Sequence, residues 1–436
     1  MGYYKQHLTI AKNISDIYGE GIACGNLGMV HCKLSDFKQA IEYFNRYLTT
    51  AKMLGNRTDQ TIAYSSLGHA YYRLGNLKEA IEYNKQVRSI AKELGDRAGE
   101  RRAYCNLGKA LSGLGDFKQA IEQYKQELGI ARELGDRTAE LCIYSDLGNA
   151  HRSLGDFKEA IGYYKQGLSI AIQVGDKGSE GGVYGSLGNV YYGLGDFKQA
   201  IGCYRQRLTI AKELGDKSGE ERAYFNLGSA HHRLGDFKEA IEYHKQDISI
   251  SKEIRDRPGE GVAYGRLGNA HYHLGDFKQA IDNHKQSLII AREVGDKAEE
   301  VVACYYLGLD FASSGSLYEA TEQFRSSINL IHETRALLQP ENAKEIDFRH
   351  LRREAYTFLW ETLLKNGETD QALHTTEQGQ VQALMDVLKT QYNVSVLQSK
   401  FAEPKQTISY ILNELTTTTV FLAHSGNIQF LGDEQR

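Results

Sequence analysis

Proline is nearly absent from this chain. Only 3 of 436 residues are Pro, against 44 Gly. Pro-rich linkers between separate domains are therefore excluded, and punctuation falls to glycine. Cysteine is also scarce. The 6 cysteines, Cys24, Cys32, Cys105, Cys142, Cys203 and Cys304, contain no Cys-x-x-Cys pair, which argues against a zinc site or a disulfide framework and for a reducing cytoplasm. No run of 18 apolar residues occurs, and Met1 to Ile10 lacks the apolar core of a signal peptide, so no membrane insertion is expected. Neither sign of charge dominates. The formal net charge is -4, too little to give the basic field that nucleic acid requires of a partner.

What is present is a repeat. A shift of 40 residues brings Gly28, Gly68, Gly108, Gly148, Gly188, Gly228, Gly268 and Gly308 into register, each directly after a leucine. A fixed period of this size marks a solenoid. Between Gly99 and Leu134, the residues Ala103, Leu107, Ala110 and Leu114 recur at helical spacing and define a helix A. It stops at Gly115. Asp116, with Gln119 three residues on, then opens a helix B through a capping box, as do Asp156 with Glu159 and Asp276 with Gln279. Helix B turns Phe117, Ala120, Ile121, Tyr124, Leu128 and Ala131 inward and ends near Leu134, where Gly135 suits a left-handed cap. One such hairpin would lose about 60 kcal/mol of ordering entropy at roughly 1.5 kcal/mol per residue, far more than two helices return. Neighbouring hairpins must stack.

Catalytic signals are missing. No Gly-rich phosphate loop follows a strand, and no Ser/His/Asp or Cys/His set has a scaffold on which to converge. No active site and no cofactor are expected. His31, His151, His231 and His271 occupy one repeat position, a packing place between helices. His231-His232 and His271-x-His273 lack the i, i+4 spacing of helical metal ligands, so a metal is not expected either.

Tyr264-x-x-Leu267-Gly268-x-x-His271, followed by Ala280 and His284, resembles the tetratricopeptide pattern Trp-x-x-Leu-Gly-x-x-Tyr, then Ala and an aromatic. Tyr124, Tyr164 and Tyr204 with Ala120, Ala160 and Ala200 match its second part more closely. Tyr stands for the Trp, and the period is 40 instead of 34. The 40-residue form, with Leu-Gly-Asn-Ala-Tyr/His and Leu-Gly-Asp-Arg/Lys, is similar to the LGN or Pins spindle-orientation adaptors and to the tetratricopeptide repeat protein 28 family, over about Tyr3 to Glu333. The resemblance implies an all-α, right-handed superhelical solenoid of antiparallel helix pairs, a cytoplasmic scaffold for protein or peptide segments in cell division or cortical signalling.

Glu377 to Leu388 is similar to the helix that follows the repeats in proteins bearing a caspase-like CHAT domain. Thr416 to Phe430 reads as the first strand pair of such a domain, a short α/β C-terminal piece. The alternative function is then the sensing half of a protease whose catalytic part lies beyond Arg436. The expected organisation is a lone helix B over 1–18, about eight repeats over 19–338, a divergent helix pair over 341–392, and the start of the CHAT-like domain over 393–436. Asp433 to Arg436 is similar to the end of a GoLoco motif, but the rest of that motif is missing upstream. G-protein binding is not expected.

In tetratricopeptide folds the A helices line the concave wall. The candidate contacts are the residue after each Leu-Gly and the residue two before each tyrosine. The resemblance assigns ligand-holding roles to Asn149, Asn189, Asn269 and Arg222, and position adds Arg102, Lys109, His69 and Ser229. Each amide can both donate to and accept from an extended backbone. The alternative is that these asparagines are repeat-consensus residues that satisfy neighbouring helices. Cys142, Gly182 and Val262 stand where the adaptors carry arginines. Gly181, Gly182 and Gly185 make either a pocket for a bulky side chain or a flexible helix start.

Overall fold

The computed structural model describes residues 1–337, 344–376, 378–379, 420–424 and 427–431. The chain divides into two compact units, Met1–Asp216 and Lys217–Arg436. In the N-terminal unit the A helices are α2 (Ile17–Lys33), α4 (Arg57–Arg73), α6 (Arg97–Gly113), α8 (Arg137–Ser153) and α10 (Lys177–Gly193). Each is followed by its B helix: α3 (Phe37–Met53), α5 (Leu77–Leu94), α7 (Phe117–Glu133), α9 (Phe157–Val174) and α11 (Phe197–Leu214). A further B-type helix, α1 (Gly2–Asn13), precedes them. In the C-terminal unit α12 (Lys217–Leu234), α14 (Arg257–His273) and α16 (Lys297–Ser314) alternate with α13 (Phe237–Ile254), α15 (Phe277–Val294) and α17 (Leu317–Leu337). Helix α18 (Lys344–Lys365) and a helical stretch over 369–376 follow. Each helix packs against its predecessor within its unit.

The repeated glycine sets how closely A and B approach. A Cβ on Gly148 would lie 2.6 Å from the Tyr164 ring, and on Gly108 or Gly188 2.4 Å from Tyr124 or Tyr204. These rings are buried flat on the glycine backbone. Any side chain there would push the hairpin open.

The turns are fixed by the chain's own bonds. Asp116 N donates to Leu111 O at 3.0 Å and Gly115 N to Ser112 O at 3.0 Å, with Gly115 at φ +81°. The capping box is accordingly half realised. Asp116 Oδ1 accepts from Gln119 N at 3.1 Å, but the Gln119 amide donates to the Asp116 carboxylate at 2.6 Å. The Asp116 N–H that a full box would use already belongs to the preceding helix. At Asp156 the expected box is not formed, since no side-chain cap bond is made. The same holds at Asn76 and Asp236. All three have Glu three residues on, whereas Asp36, Asp116, Asp196 and Asp276 have Gln there and do cap. At Asp156 and Asp236 two carboxylates in one turn repel, while a neutral amide lets the cap close.

Ion pairs complete each hairpin and each junction. Arg97 at the start of α6 meets Glu133 at the end of α7, and Arg57–Glu93 and Arg257–Glu293 repeat the pattern. Glu100, Glu140, Glu260 and Glu300 are buried near the start of their A helices, facing Lys92, Arg132, Lys252 and Arg292 of the preceding helix B.

The strand pair expected within Thr416 to Phe430 falls on β1 (Val420–His424) and β2 (Asn427–Leu431), antiparallel with Val420 opposite Leu431. The helix expected over Glu377 to Leu388 lies almost wholly outside the described residues. Trp360, on α18, is partly buried against Phe324 and its neighbours.

Candidate peptide-binding face

Within the N-terminal unit the A helices α2 and α4 touch one another, and within the C-terminal unit α12 touches α14 and α14 touches α16. Among the described residues no consecutive B helices approach as closely. Crowding on the A side makes that side the inner wall of each unit. On α6 the outward stripe is Arg102 and Lys109, with Cys105 and Asn106 half-buried between them. Arg102 and Lys109 are seven residues, about two turns or 10 Å, apart.

The predicted residues do lie on this stripe. His69, Arg102, Lys109, Asn149, Asn189 and Arg222 are exposed, and Ser229 and Asn269 are half-buried. The asparagines are not free side chains, however. Asn149 Oδ1 accepts from Tyr164 Oη at 2.7 Å and Asn189 Oδ1 from Tyr204 Oη at 2.9 Å. In the C-terminal unit Asn269 Oδ1 sits 3.2 Å from His284 Nε2. Each amide thus satisfies the polar end of the ring that covers its own repeat's glycine. One acceptor is used inside, and the residue still reaches the surface at Asn149 and Asn189. The internal bond foreseen for a repeat-consensus amide is made in all three repeats.

Arg222 Nε donates to Ser218 O at 3.1 Å. Burial and Arg73 lower the His69 imidazole below its ordinary value. Arg102 has no ion pair among the described residues. Lys109 is raised above its usual value, first by Cys105 and also by Asp146.

A polar knot behind this stripe was not foreseen. Glu127 on α7, 2% exposed, accepts from Arg101 at 3.4 Å, and its Oε2 has no hydrogen-bond partner among the described residues. Burial pushes Glu127 up to about 7 despite Arg101, and burial likewise raises Asp146. Cys105 is raised to about 11 by burial, so its thiol is not a nucleophile at neutral pH. The knot draws on variable positions of three helices. A period search highlights what repeats, so it passes over such residues.

In the glycine cluster of the fifth repeat the space beside Gly182 is open, while Gly181 faces Ile210 and Gly185 faces Arg207. α10 is continuous from Lys177 to Gly193, and a Cβ on Gly185 would lie 2.1 Å from Arg207 Nη1. The space beside Gly185 is filled by the chain's own arginine.

The equivalent histidines are packing groups. His31, His151 and His231 stack on Tyr43, Tyr163 and Tyr243 at 5.2–5.4 Å between centroids. Among the described residues no group of three potential ligands could hold a metal, and no helix is long and apolar enough to cross a membrane.

Family profiles described as tetratricopeptide repeat match residues 59–133 and 179–253, 23–58 and 143–178, and 262–294. A search of curated proteins found no match. Among solved structures, the chain is similar to a signal transduction ATPase with a tetratricopeptide repeat sensor from Pyrococcus horikoshii, at 18% identity and TM-score 0.55. That alignment covers 76% of this chain and 53% of the other, so the chain spans about half of that ATPase. It is also similar to aspartyl phosphate phosphatase F from Bacillus subtilis, at 14% identity and TM-score 0.51, covering 84% of this chain and 93% of that one. At such identities the likeness shows the fold alone. With matched segments spanning more than half of its length and hairpins built on the Leu-Gly contact, the chain belongs to the tetratricopeptide repeat family.

Proposed function

We propose that the chain is a non-catalytic scaffold whose A-helix faces hold segments of partner proteins. One observation carries this reading. Each A helix commits its Leu-Gly side to the hairpin, while the opposite stripe carries exposed residues that change from repeat to repeat. A constant buried side with a variable inner wall suits recognition of extended or helical segments, with binding spread over several repeats. The family suggests an interaction scaffold in general. Roles in spindle orientation, cell division or cortical signalling, in the cytoplasm, are the finer reading, supported by the 40-residue repeat form.

The test is peptide display on the full chain, followed by affinity measurement with the combined Asn149→Ala and Asn189→Ala variant. Loss of two hydrogen bonds at about 1 kcal/mol each predicts roughly tenfold or greater weakening. Tyr164→Phe with Tyr204→Phe is the control, because it removes the internal bonds and keeps both amides. Failure to retain any segment, or unchanged affinity in the Asn variant, discards the reading.

A second reading, the sensing half of a caspase-like CHAT protease, draws support from the antiparallel pair Val420–His424 and Asn427–Leu431 at the end of the described residues. Reading the coding sequence past Arg436 tests it. Absence of a His and a Cys on strand ends there leaves the scaffold alone.

A further inference from the structure

The inner wall of the N-terminal unit changes character along its length. On α2, Tyr18 and Met29 are each 53% exposed, and Ile22 between them is half-buried. On α4, Ile62 is 48% exposed. No large apolar side chain is exposed on the same stripe of α6, α8 or α10. α6 instead presents Arg102 and Lys109, and α8 and α10 present Asn149 and Asn189. Each of these A helices packs against the B helices beside it, so the apolar side chains on α2 and α4 are not held out by any need of the hairpin fold. Large apolar groups left clustered in water mark an interaction surface.

The charge on α6 is open in the same sense. Arg57, Arg97, Arg101, Arg132 and Arg137 all have carboxylate partners within the unit. Arg102 has none among the described residues, and a guanidinium offers a fork suited to a carboxylate. Lys109 is shared with Asp146 and Glu127, so Arg102 is the better-placed cation and Lys109 assists.

We infer that the A-helix wall of the N-terminal unit selects protein segments that place apolar side chains over α2 and α4 and an acidic side chain against Arg102 on α6. This rests on the scaffold reading and adds to it the chemistry of the partner. Packed helices lie about 9 Å apart, and a ligand in the polyproline II conformation advances about 3.1 Å per residue with three residues per turn, so every third side chain faces the wall and meets successive A helices. The recognised pattern is apolar-x-x-apolar-x-x-acidic, in whichever chain direction the wall accepts. Asn149 and Asn189 then engage the backbone beyond the acidic residue.

The experiment uses the full chain and fluorescein-labelled peptides with Leu, Phe and Asp at every third place in a Ser background, synthesised in both orders and read by anisotropy. One order should bind. Replacing its Asp by Lys should weaken binding about tenfold, and the Arg102→Glu, Lys109→Glu variant should do the same while gaining affinity for the Lys peptide. Met29→Ser with Ile62→Ser should weaken both peptides. All four positions are exposed, and far-UV circular dichroism with melting curves verifies folding. If charge reversal changes neither affinity, the inference is overturned. If displayed peptides that depend on Asn149 and Asn189 bind equally well to the charge-reversed chain, the inference falls and the scaffold reading stands. If nothing binds, both fall. Self-association of the chain alone, abolished by Met29→Ser with Ile62→Ser in sedimentation, would make a second copy the occupant and also overturn it.

Discussion

One slot in the hairpin, the ring laid over the Leu-Gly glycine, is filled differently in the two units. In the N-terminal unit it holds Phe44, then Asn84, then Tyr124, Tyr164 and Tyr204, whose hydroxyls bond Ser112, Asn149 and Asn189. In the C-terminal unit it holds His244 and His284 before Phe324 returns. His244 is buried and its Nδ1 has no hydrogen-bond partner among the described residues, while His284 sits between Asp310 at 2.6 Å and the oxygens of Gly265 and Asn269 at 3.2 Å each. A phenol and an imidazole have nearly the same footprint, so the backbone accepts either. Their hydrogen-bonding demands differ, and the C-terminal unit has gathered carboxylates and imidazoles that the N-terminal tyrosines do not need.

The contrast should be sharpest when one partner is removed. Asp310 is 0% exposed, and Asp310→Ala strips His284 of its carboxylate inside the core. A loss of about 3 kcal/mol is expected. Tyr164→Phe removes one neutral hydrogen bond and should cost about 1 kcal/mol. Denaturant melts followed by Trp360 fluorescence for the first and by far-UV circular dichroism for the second measure both. Equal losses would erase the distinction between the slots.

Acidity should separate the units next. Burial, with Glu221 and Asp256 nearby, pushes Asp247 up to about 8, so the folded carboxyl holds a proton that the unfolded one has released. A raised folded value gives stability that is complete below the unfolded pKa and is lost as pH rises through 8. Between pH 6.5 and 8 the loss is about 1.4 kcal/mol per pH unit at most. His244 and His232 are lowered by burial to about 3 and about 4, so their contribution is present above the unfolded value and is lost as pH falls below about 6.5. Between about pH 4 and 6.5 the lowered His232, His244 and His271 oppose the raised Glu221, Asp247, Glu299 and Asp310, so the slope that belongs to Asp247 is read above pH 6.5. The N-terminal unit has Glu127 raised to about 7, and it should gain stability as pH falls from 7 toward 4.5. Trp360 fluorescence reports the C-terminal unit and proteolytic peptide mapping reports the other. Asp247→Asn should flatten the alkaline slope, and an unchanged slope would refute the assignment.

Smaller effects test the local rules. Glu159→Gln and Glu239→Gln should let Asp156 and Asp236 cap their helices as Asp116 does, gaining about 0.5–1 kcal/mol each, one in each unit. Arg255 adopts φ +60° where other repeats have glycine, and Arg255→Gly should gain up to about 1 kcal/mol in the C-terminal unit. A fall in melting temperature with any of these changes would contradict the rule concerned.

Much of the fold was legible because its causes are local. The apolar spacing of Ala103, Leu107 and Ala110, the Gly115 turn and the Asp116 cap act within a few residues, and repetition averages away their exceptions. The candidate face was legible in position and incomplete in chemistry. Asn149 could be placed on the outer stripe, but its bond to Tyr164 joins residues 15 apart on facing helices. The filling of Gly185 by Arg207 and the burial of Glu127 against Arg101 were hidden for the same reason.

The sequence by itself determined the hairpin, its period and the need to stack, because helix periodicity, turn residues and the entropy of an unstacked pair follow from neighbours along the chain. Only the tertiary structure decided which variable side chains are drawn inward and neutralised and which remain in water. Those choices depend on desolvation and on partners supplied by other helices, and no single repeat contains either.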